Sequence, residues 1–169
     1  MRESNKNVYL IVHGAAIAAI YVALTMIFAP ISFGPVQFRI SEALCVLPFF
    51  LPETAWGLGV GCLIANLLSP YGVLDIVVGS AATLLAALLT ARCQKKWLAP
   101  LPPVIANTVL IGLVLAYEQA GTSAAFWPTY AFNALTVGLG EAVACYGLGG
   151  LLLWRLDKSN ALQHYLQNR

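Results

Sequence analysis

Residues 33–44 (FGPVQFRISEAL) carry an amide, a guanidinium and a carboxylate, at Gln37, Arg39 and Glu42, within an otherwise apolar stretch. Such side chains can bind a polar ligand by hydrogen bonds and ion pairing. Arg39 and Glu42 are also three residues apart, so at the start of a helix they can pair with each other. The sequence leaves both alternatives open: a ligand site, or a loop that its own ion pair stiffens.

Further polar and aromatic residues lie near the ends of the other apolar stretches. Asn66 and Asp75 flank a Ser-Pro-Tyr-Gly turn, where such residues often serve as helix caps instead of binding a ligand. Trp127 and Tyr130 can stack on a flat ligand or anchor a span at the membrane surface. The candidate substrate-binding residues are Gln37, Arg39, Glu42, Asn66, Tyr71, Asp75, Glu118, Trp127, Tyr130, Asn133 and Glu141.

Glu141 lies deepest, about 20 Å into the last long apolar stretch at 1.5 Å per residue. A charge near the bilayer centre costs about 2.5–3.5 kcal/mol, so Glu141 is expected to face the bundle and have a partner there, or else to be protonated. Tyr130 is eleven residues away and lies on the same helix face, with Ala134 between them. This face could line a cavity, or Glu141 could serve packing through an interhelical hydrogen bond.

The composition determines the class of protein that must position these groups. Of the 169 residues, 60% are hydrophobic and 9% are charged, whereas soluble domains have about 25% charged residues. The sequence therefore predicts an all-α integral membrane protein, a single domain over residues 1–169, embedded in the lipid bilayer. Its net charge is only +2, with no run of basic residues, which excludes a nucleic-acid partner.

Proline and glycine breaks divide the chain into apolar stretches that predict six spans, over residues 9–29, 40–51, 54–68, 74–91, 102–119 and 128–154. One long kinked helix over 40–68 would place basic residues on both sides of the membrane, against their cytoplasmic preference. Two spans place all of them inside except Arg39, so we expect an N-in, C-in bundle in the cell membrane. A re-entrant hairpin in 40–68 satisfies the same parity. Glu42, Asp75 and Glu118 then lie at the outer side.

The first apolar stretch has small residues at every fourth position, Ala15, Ala19 and Ala23. Such a stripe lets a second helix approach closely. It fits packing inside the bundle and docking onto another membrane protein equally well.

Two motifs, FGPVQFRISEALCVLPFF and ANLLSPYGVLDIVVGSAATLLAALL, closely resemble the queuosine-precursor transporter family. This is the QueT type of substrate-binding S component of energy-coupling factor (ECF) transporters, and the likeness covers residues 21–92. The resemblance implies a six-helix subunit that captures a 7-deazaguanine-type substrate from outside. It also implies that Ala15, Ala19 and Ala23 dock onto an ECF transmembrane scaffold with two ATPase subunits.

The residues themselves agree with a need for partners, because the chain has no GxxxxGK[ST] phosphate-binding loop. We therefore expect no enzymatic activity and no cofactor, with ATP used by partner subunits. The alternatives are an S component for another small heterocyclic vitamin, a secondary transporter driven by an ion gradient and, least supported, an integral-membrane enzyme.

Overall fold

The computed structural model describes residues 3–34 and 38–167, and the secondary structure in this part of the chain is helical throughout. The main elements are α1 (Glu3–Ile27), a 3₁₀ segment (Ile40–Phe49), α2 (Thr54–Asn66), α3 (Gly72–Thr90), α4 (Leu101–Ala120), α5 (Phe126–Asp157) and α6 (Asn160–Gln167). A π-helical turn interrupts α3 at Asp75–Gly79 and another interrupts α5 at Val143–Gly149. The prediction of an all-helical membrane fold is confirmed.

Within residues 3–34 and 38–167, four helices are long and apolar enough to cross a membrane: Val8–Ile27, Gly72–Thr90, Lys96–Ala120 and Phe126–Asp157. The apolar 3₁₀ segment and α2 are shorter, each about 20 Å long at their respective rises per residue, against a hydrocarbon core of about 30 Å. Residues 50–53 separate these two elements, so the alternative of one continuous helix over 40–68 is wrong. Six complete crossings remain a prediction.

Several charged side chains are buried in the bundle, whereas many large apolar side chains are exposed. Ile11 and Ile27 are each 70% exposed, whereas the side chains of Arg39, Glu42 and Asp75 are buried. This is the reverse of a soluble protein, in which such charged residues are almost never fully buried. The outer surface suits lipid, and the interior provides the polar groups.

Helices α1 and α2 cross closely through small residues. A Cβ added to Gly57 would lie 2.4 Å from the carbonyl oxygen of Gly14, and one added to Gly61 would lie 3.0 Å from Cα of Ala18. The small residues of α1 that pack inside the bundle are therefore Gly14 and Ala18. The neighbouring stripe of Ala15, Ala19 and Ala23 is exposed.

We expect Gly57→Ala to destabilise the bundle by about 1–3 kcal/mol, because its Cβ would meet backbone, which cannot rotate away as a side chain can. Gly150→Ala is the matched control, since a Cβ there would meet no atom within 4 Å. Thermal unfolding of both variants in detergent measures the difference. Equal melting temperatures for the two variants would contradict the close crossing.

Helices α4 and α5 form a second closely packed pair. Pro102 and Pro103 lie in the first turn of α4, where a missing N–H has no consequence, and Gly121 ends the helix with φ of 56°. A Cβ on Gly112 would lie 3.2 Å from Cα of Ala134. The face of α5 at Ala134 therefore packs closely against α4.

Candidate functional site

A buried ion pair lies at the centre of the polar interior. Nη2 of Arg39 is 3.4 Å from Oδ2 of Asp75, and the two side chains are 6% and 1% exposed. Arg39 therefore pairs with a residue of α3, and the pairing with Glu42 that its spacing allowed is not formed. An arginine guanidinium keeps its proton in proteins, so the side chain is cationic and Asp75 provides its counter-charge.

Asp75 lies in the π turn of α3, where it accepts hydrogen bonds from neighbouring side chains and does not cap the helix. Its Oδ2 accepts a hydrogen bond of 2.7 Å from Oγ of Ser69, and its backbone oxygen accepts one of 3.1 Å from Nδ2 of Asn66. Gly79 gives the two side chains room, because a Cβ there would lie 2.7 Å from Nδ2 of Asn66. Such π turns occur frequently at functional sites.

Glu42 is held by donors from three elements. Its Oε1 accepts hydrogen bonds from the hydroxyl groups of Tyr21 in α1 and Thr83 in α3, the latter at 3.3 Å. Its Oε2 accepts one of 3.0 Å from Sγ of Cys45 in its own 3₁₀ segment. Both carboxylate oxygens thus have partners within the protein, and Glu42 ties α1 and α3 to the segment that follows Arg39.

Glu141 forms a second buried acidic position next to the first. Nδ2 of Asn107 in α4 donates to its Oε1 at 3.0 Å, and Sγ of Cys145 lies 3.6 Å from its Oε2. The same thiol is 3.4 Å from the backbone oxygen of Glu42. Glu141 therefore faces the bundle with a partner, as its depth requires.

Tyr71 covers the cluster from the side of the loop. Its hydroxyl group donates to the backbone oxygens of Phe33 and Gly34, at 3.1 and 3.4 Å. The Arg39 guanidinium in turn lies over the Phe33 ring, 5.2 Å from its centroid. The turn before α3 and the loop after α1 are thus joined by hydrogen bonds, and the loop contacts Arg39 through Phe33.

Comparison with known proteins identifies the family to which this sequence belongs. The family model described as QueT transporter matches residues 11–158, most of the chain. The chain belongs to the QueT transporter family. The prediction of a transport protein and not an enzyme is therefore confirmed at the level of the family.

One relative within the QueT family is the queuosine precursor transporter QueT of Lactococcus lactis subsp. cremoris (strain MG1363), 43% identical over 95 residues. The match covers 53% of this chain and 56% of that protein, so the similarity spans just over half the length of the relative. No solved structure matches the chain.

In this member of the QueT family, the structure brings together five of the predicted site residues around one interior region, Arg39, Glu42, Asn66, Tyr71 and Asp75, with Glu141 adjoining it.

The other predicted site residues lie apart from these contacts. Asn133 is buried but donates to Oε1 of Gln119 at 3.1 Å. Trp127 is 69% exposed and stacks edge to face on Tyr130, and Glu118 is exposed. Gln37 lies outside the described residues.

Several residues of the polar interior were not predicted from the sequence, chiefly Tyr21, Cys62, Thr83 and Asn107. Cys62 connects the residues around Glu42 with those around Asp75, because Thr83 and Asn66 both donate to its Sγ, at 3.3 and 3.5 Å. Asn107 offered a signal, since an amide within an apolar span needs a partner. Tyr21 and Thr83 offered little, because both residue types are common in membrane helices.

Proposed function

We propose that this protein binds a queuosine precursor of the 7-deazaguanine type from outside the cell and carries it across the membrane. The observation that carries the proposal is the buried Arg39–Asp75 pair, with Asn66 beside it, inside a bundle with an apolar exterior. The family and the name of the Lactococcus relative support this class of substrate.

The physical argument rests on the free energy of burying charge. An ion pair inside a membrane bundle loses its hydration, and its mutual attraction offsets that loss only with good geometry and additional hydrogen bonds. Such groups are retained where they bind a polar substrate. A 7-deazaguanine has N–H donors for a carboxylate, a carbonyl for a guanidinium and a flat face for an aromatic ring.

We further propose that the protein is an ECF S component with six crossings, both termini inside, and that partner ATPases energise it. One support for this topology is the set of contacts at the end of the bundle away from Asp75. Nζ of Lys96 lies 2.6 Å from Oδ1 of Asp157, and the Tyr165 hydroxyl lies 3.4 Å from Oε1 of Glu53. Asp157 thus pairs with a basic residue, as expected of a cytoplasmic side, and Glu53 lies at the same end against α6.

Uptake measurements test the proposal. Cells that lack other routes for 7-deazaguanines and produce the protein together with an ECF scaffold and two ATPases should accumulate labelled 7-aminomethyl-7-deazaguanine. Without the ATPases, uptake should stop while the purified protein still binds the compound. Absence of both binding and uptake would refute the substrate class, and uptake by the protein alone that follows an ion gradient would refute the ATPase partners.

The exposed stripe of Ala15, Ala19 and Ala23 supports docking onto a scaffold and yields a separate prediction. Ala19→Trp should weaken association with the scaffold at least tenfold, or about 1.4 kcal/mol, because a large ring prevents close helix approach. Binding of the substrate and the melting temperature should not change. Ala131→Trp is the matched control, since Ala131 is an exposed alanine on α5. Equal loss of co-purification in both variants would contradict a specific docking face.

A further inference from the structure

Three buried atoms around Asp75 have no hydrogen-bond partner in the part of the chain that the structure describes. They are Nε of Arg39, Oδ1 of Asn66 and Oδ1 of Asp75, and all three residues are buried. Buried polar atoms are paired in the great majority of cases, because an unpaired one loses water without replacement. Three unpaired atoms in one cluster indicate groups arranged to bind a ligand.

The three atoms belong to one region of the interior. The Arg39 guanidinium contacts Asp75, and the Asn66 amide donates to the Asp75 backbone. Arg39 and Asn66 also both approach Sγ of Cys62, at 3.9 and 3.5 Å. Gly79 lies against the same groups, because a Cβ there would be 3.3 Å from Oδ1 of Asp75. The unpaired atoms therefore lie on three neighbouring residues, of which Arg39 and Asn66 both bond Asp75.

The ion pair within this cluster is long. The 3.4 Å between Nη2 of Arg39 and Oδ2 of Asp75 exceeds the roughly 2.7–2.9 Å that is usual for a hydrogen bond between two charged groups. A contact of this length can open to admit a third group between guanidinium and carboxylate. The Phe33 ring already stacks on the guanidinium and offers a flat apolar face to a ring that enters there.

The unpaired set consists of one cationic donor, one anionic acceptor and one neutral acceptor. On the basis of the proposed function, we propose that these three atoms bind the pyrimidine edge of a 2-amino-4-oxo heterocycle. The ring carbonyl accepts from Nε of Arg39, and the ring N–H and the 2-amino group donate to the Oδ1 atoms of Asp75 and Asn66. The site thereby selects the edge of the substrate that all 7-deazaguanines share.

This assignment predicts which analogues the site rejects. Replacing the carbonyl by an amino group would present a donor to the Arg39 donor. Removing the 2-amino group would leave one buried acceptor unpaired. Sites built to hydrogen-bond a group discriminate strongly against analogues that lack it, because their own buried polar atoms then stay unpaired.

Calorimetry on the full-length protein in nanodiscs tests the assignment with three compounds: 7-deazaguanine, 7-deazahypoxanthine, which lacks the 2-amino group, and 2,6-diamino-7-deazapurine, which lacks the carbonyl. We expect both analogues to bind at least about 100-fold more weakly than 7-deazaguanine. In the Asn66→Leu variant, the ratio of the affinities for 7-deazaguanine and 7-deazahypoxanthine should fall toward one. Asn133→Leu should keep the wild-type preference, because Asn133 is another buried asparagine but donates to Gln119, away from this cluster.

The outcomes separate this inference from the proposed function. If 7-deazaguanine binds and the diamino analogue binds equally well, or if Asn66→Leu keeps the full preference, the edge assignment is wrong and the transport proposal stands. If neither 7-deazaguanine nor its aminomethyl derivative binds the wild type, the proposed function fails and this inference fails with it. Should Asn66→Leu not fold, the analogue comparison on the wild type still decides.

Discussion

Replacing Arg39 by leucine is expected to destabilise the protein by about 3–5 kcal/mol, because Asp75 would keep a buried charge without a cation beside it. Adding Asp75→Asn to Arg39→Leu should restore part of the stability, since the second change removes the unpaired charge. The double variant should still not bind a 7-deazaguanine. Thermal unfolding in detergent and calorimetry on the same samples separate the structural contribution of the pair from its contribution to binding.

The exposed pair of Lys96 and Asp157 provides the control. Its side chains are 56% and 42% exposed, so Lys96→Leu should change stability by no more than about 1 kcal/mol. A melting temperature of Arg39→Leu equal to that of Lys96→Leu would show that the interior pair does not contribute to stability. An Arg39→Leu and Asp75→Asn double variant that binds with wild-type affinity would remove both residues from the site.

Glu42→Gln is expected to destabilise the protein by about 1.5–3 kcal/mol, the range for hydrogen bonds to a charged group. The carboxylate accepts from Tyr21, Thr83 and Cys45. The amide would replace one accepting oxygen by a donor that faces other donors. Since Glu42 joins α1 to α3, the loss should appear as a lower unfolding temperature and also as faster proteolysis of the loop after α1.

A double-mutant cycle checks that the effect arises from this contact. Tyr21→Phe alone should destabilise the protein, but its effect in the Glu42→Gln background should be smaller, because the two residues share one hydrogen bond. Glu118→Gln, which changes an exposed acid, should stay within about 0.5 kcal/mol of the wild type. Additive effects of the Tyr21 and Glu42 changes would contradict the bond between them.

The extent of the helices could be read from the sequence because hydropathy, proline and glycine act locally. The stretch predicted over 102–119 is the helix Leu101–Ala120, and that predicted over 128–154 is Phe126–Asp157. The break between 51 and 54 was also correctly placed by Pro52. The 3₁₀ winding of Ile40–Phe49 was not predicted, since its pattern of apolar residues does not distinguish it from an α-helix.

The site could be predicted only as a set of residue types near one end of the bundle. Arg39 had two carboxylates within reach in principle, one three residues away and one 36 residues away, and the sequence favours neither. The partner of Glu42 in α1 was not foreseen, because Tyr21 stands within an apolar stretch like any other aromatic residue.

The sequence by itself determined that this is a helical membrane protein whose few polar groups must lie inside, because lipid gives no hydrogen bonds to exposed charges. The tertiary structure alone decided which polar groups meet. It paired Arg39 with Asp75 and turned Ala15, Ala19 and Ala23 outward while Gly14 and Ala18 packed against α2. These choices depend on the rotation and depth of each helix relative to its neighbours, which the packing of all the helices sets together and no local pattern encodes.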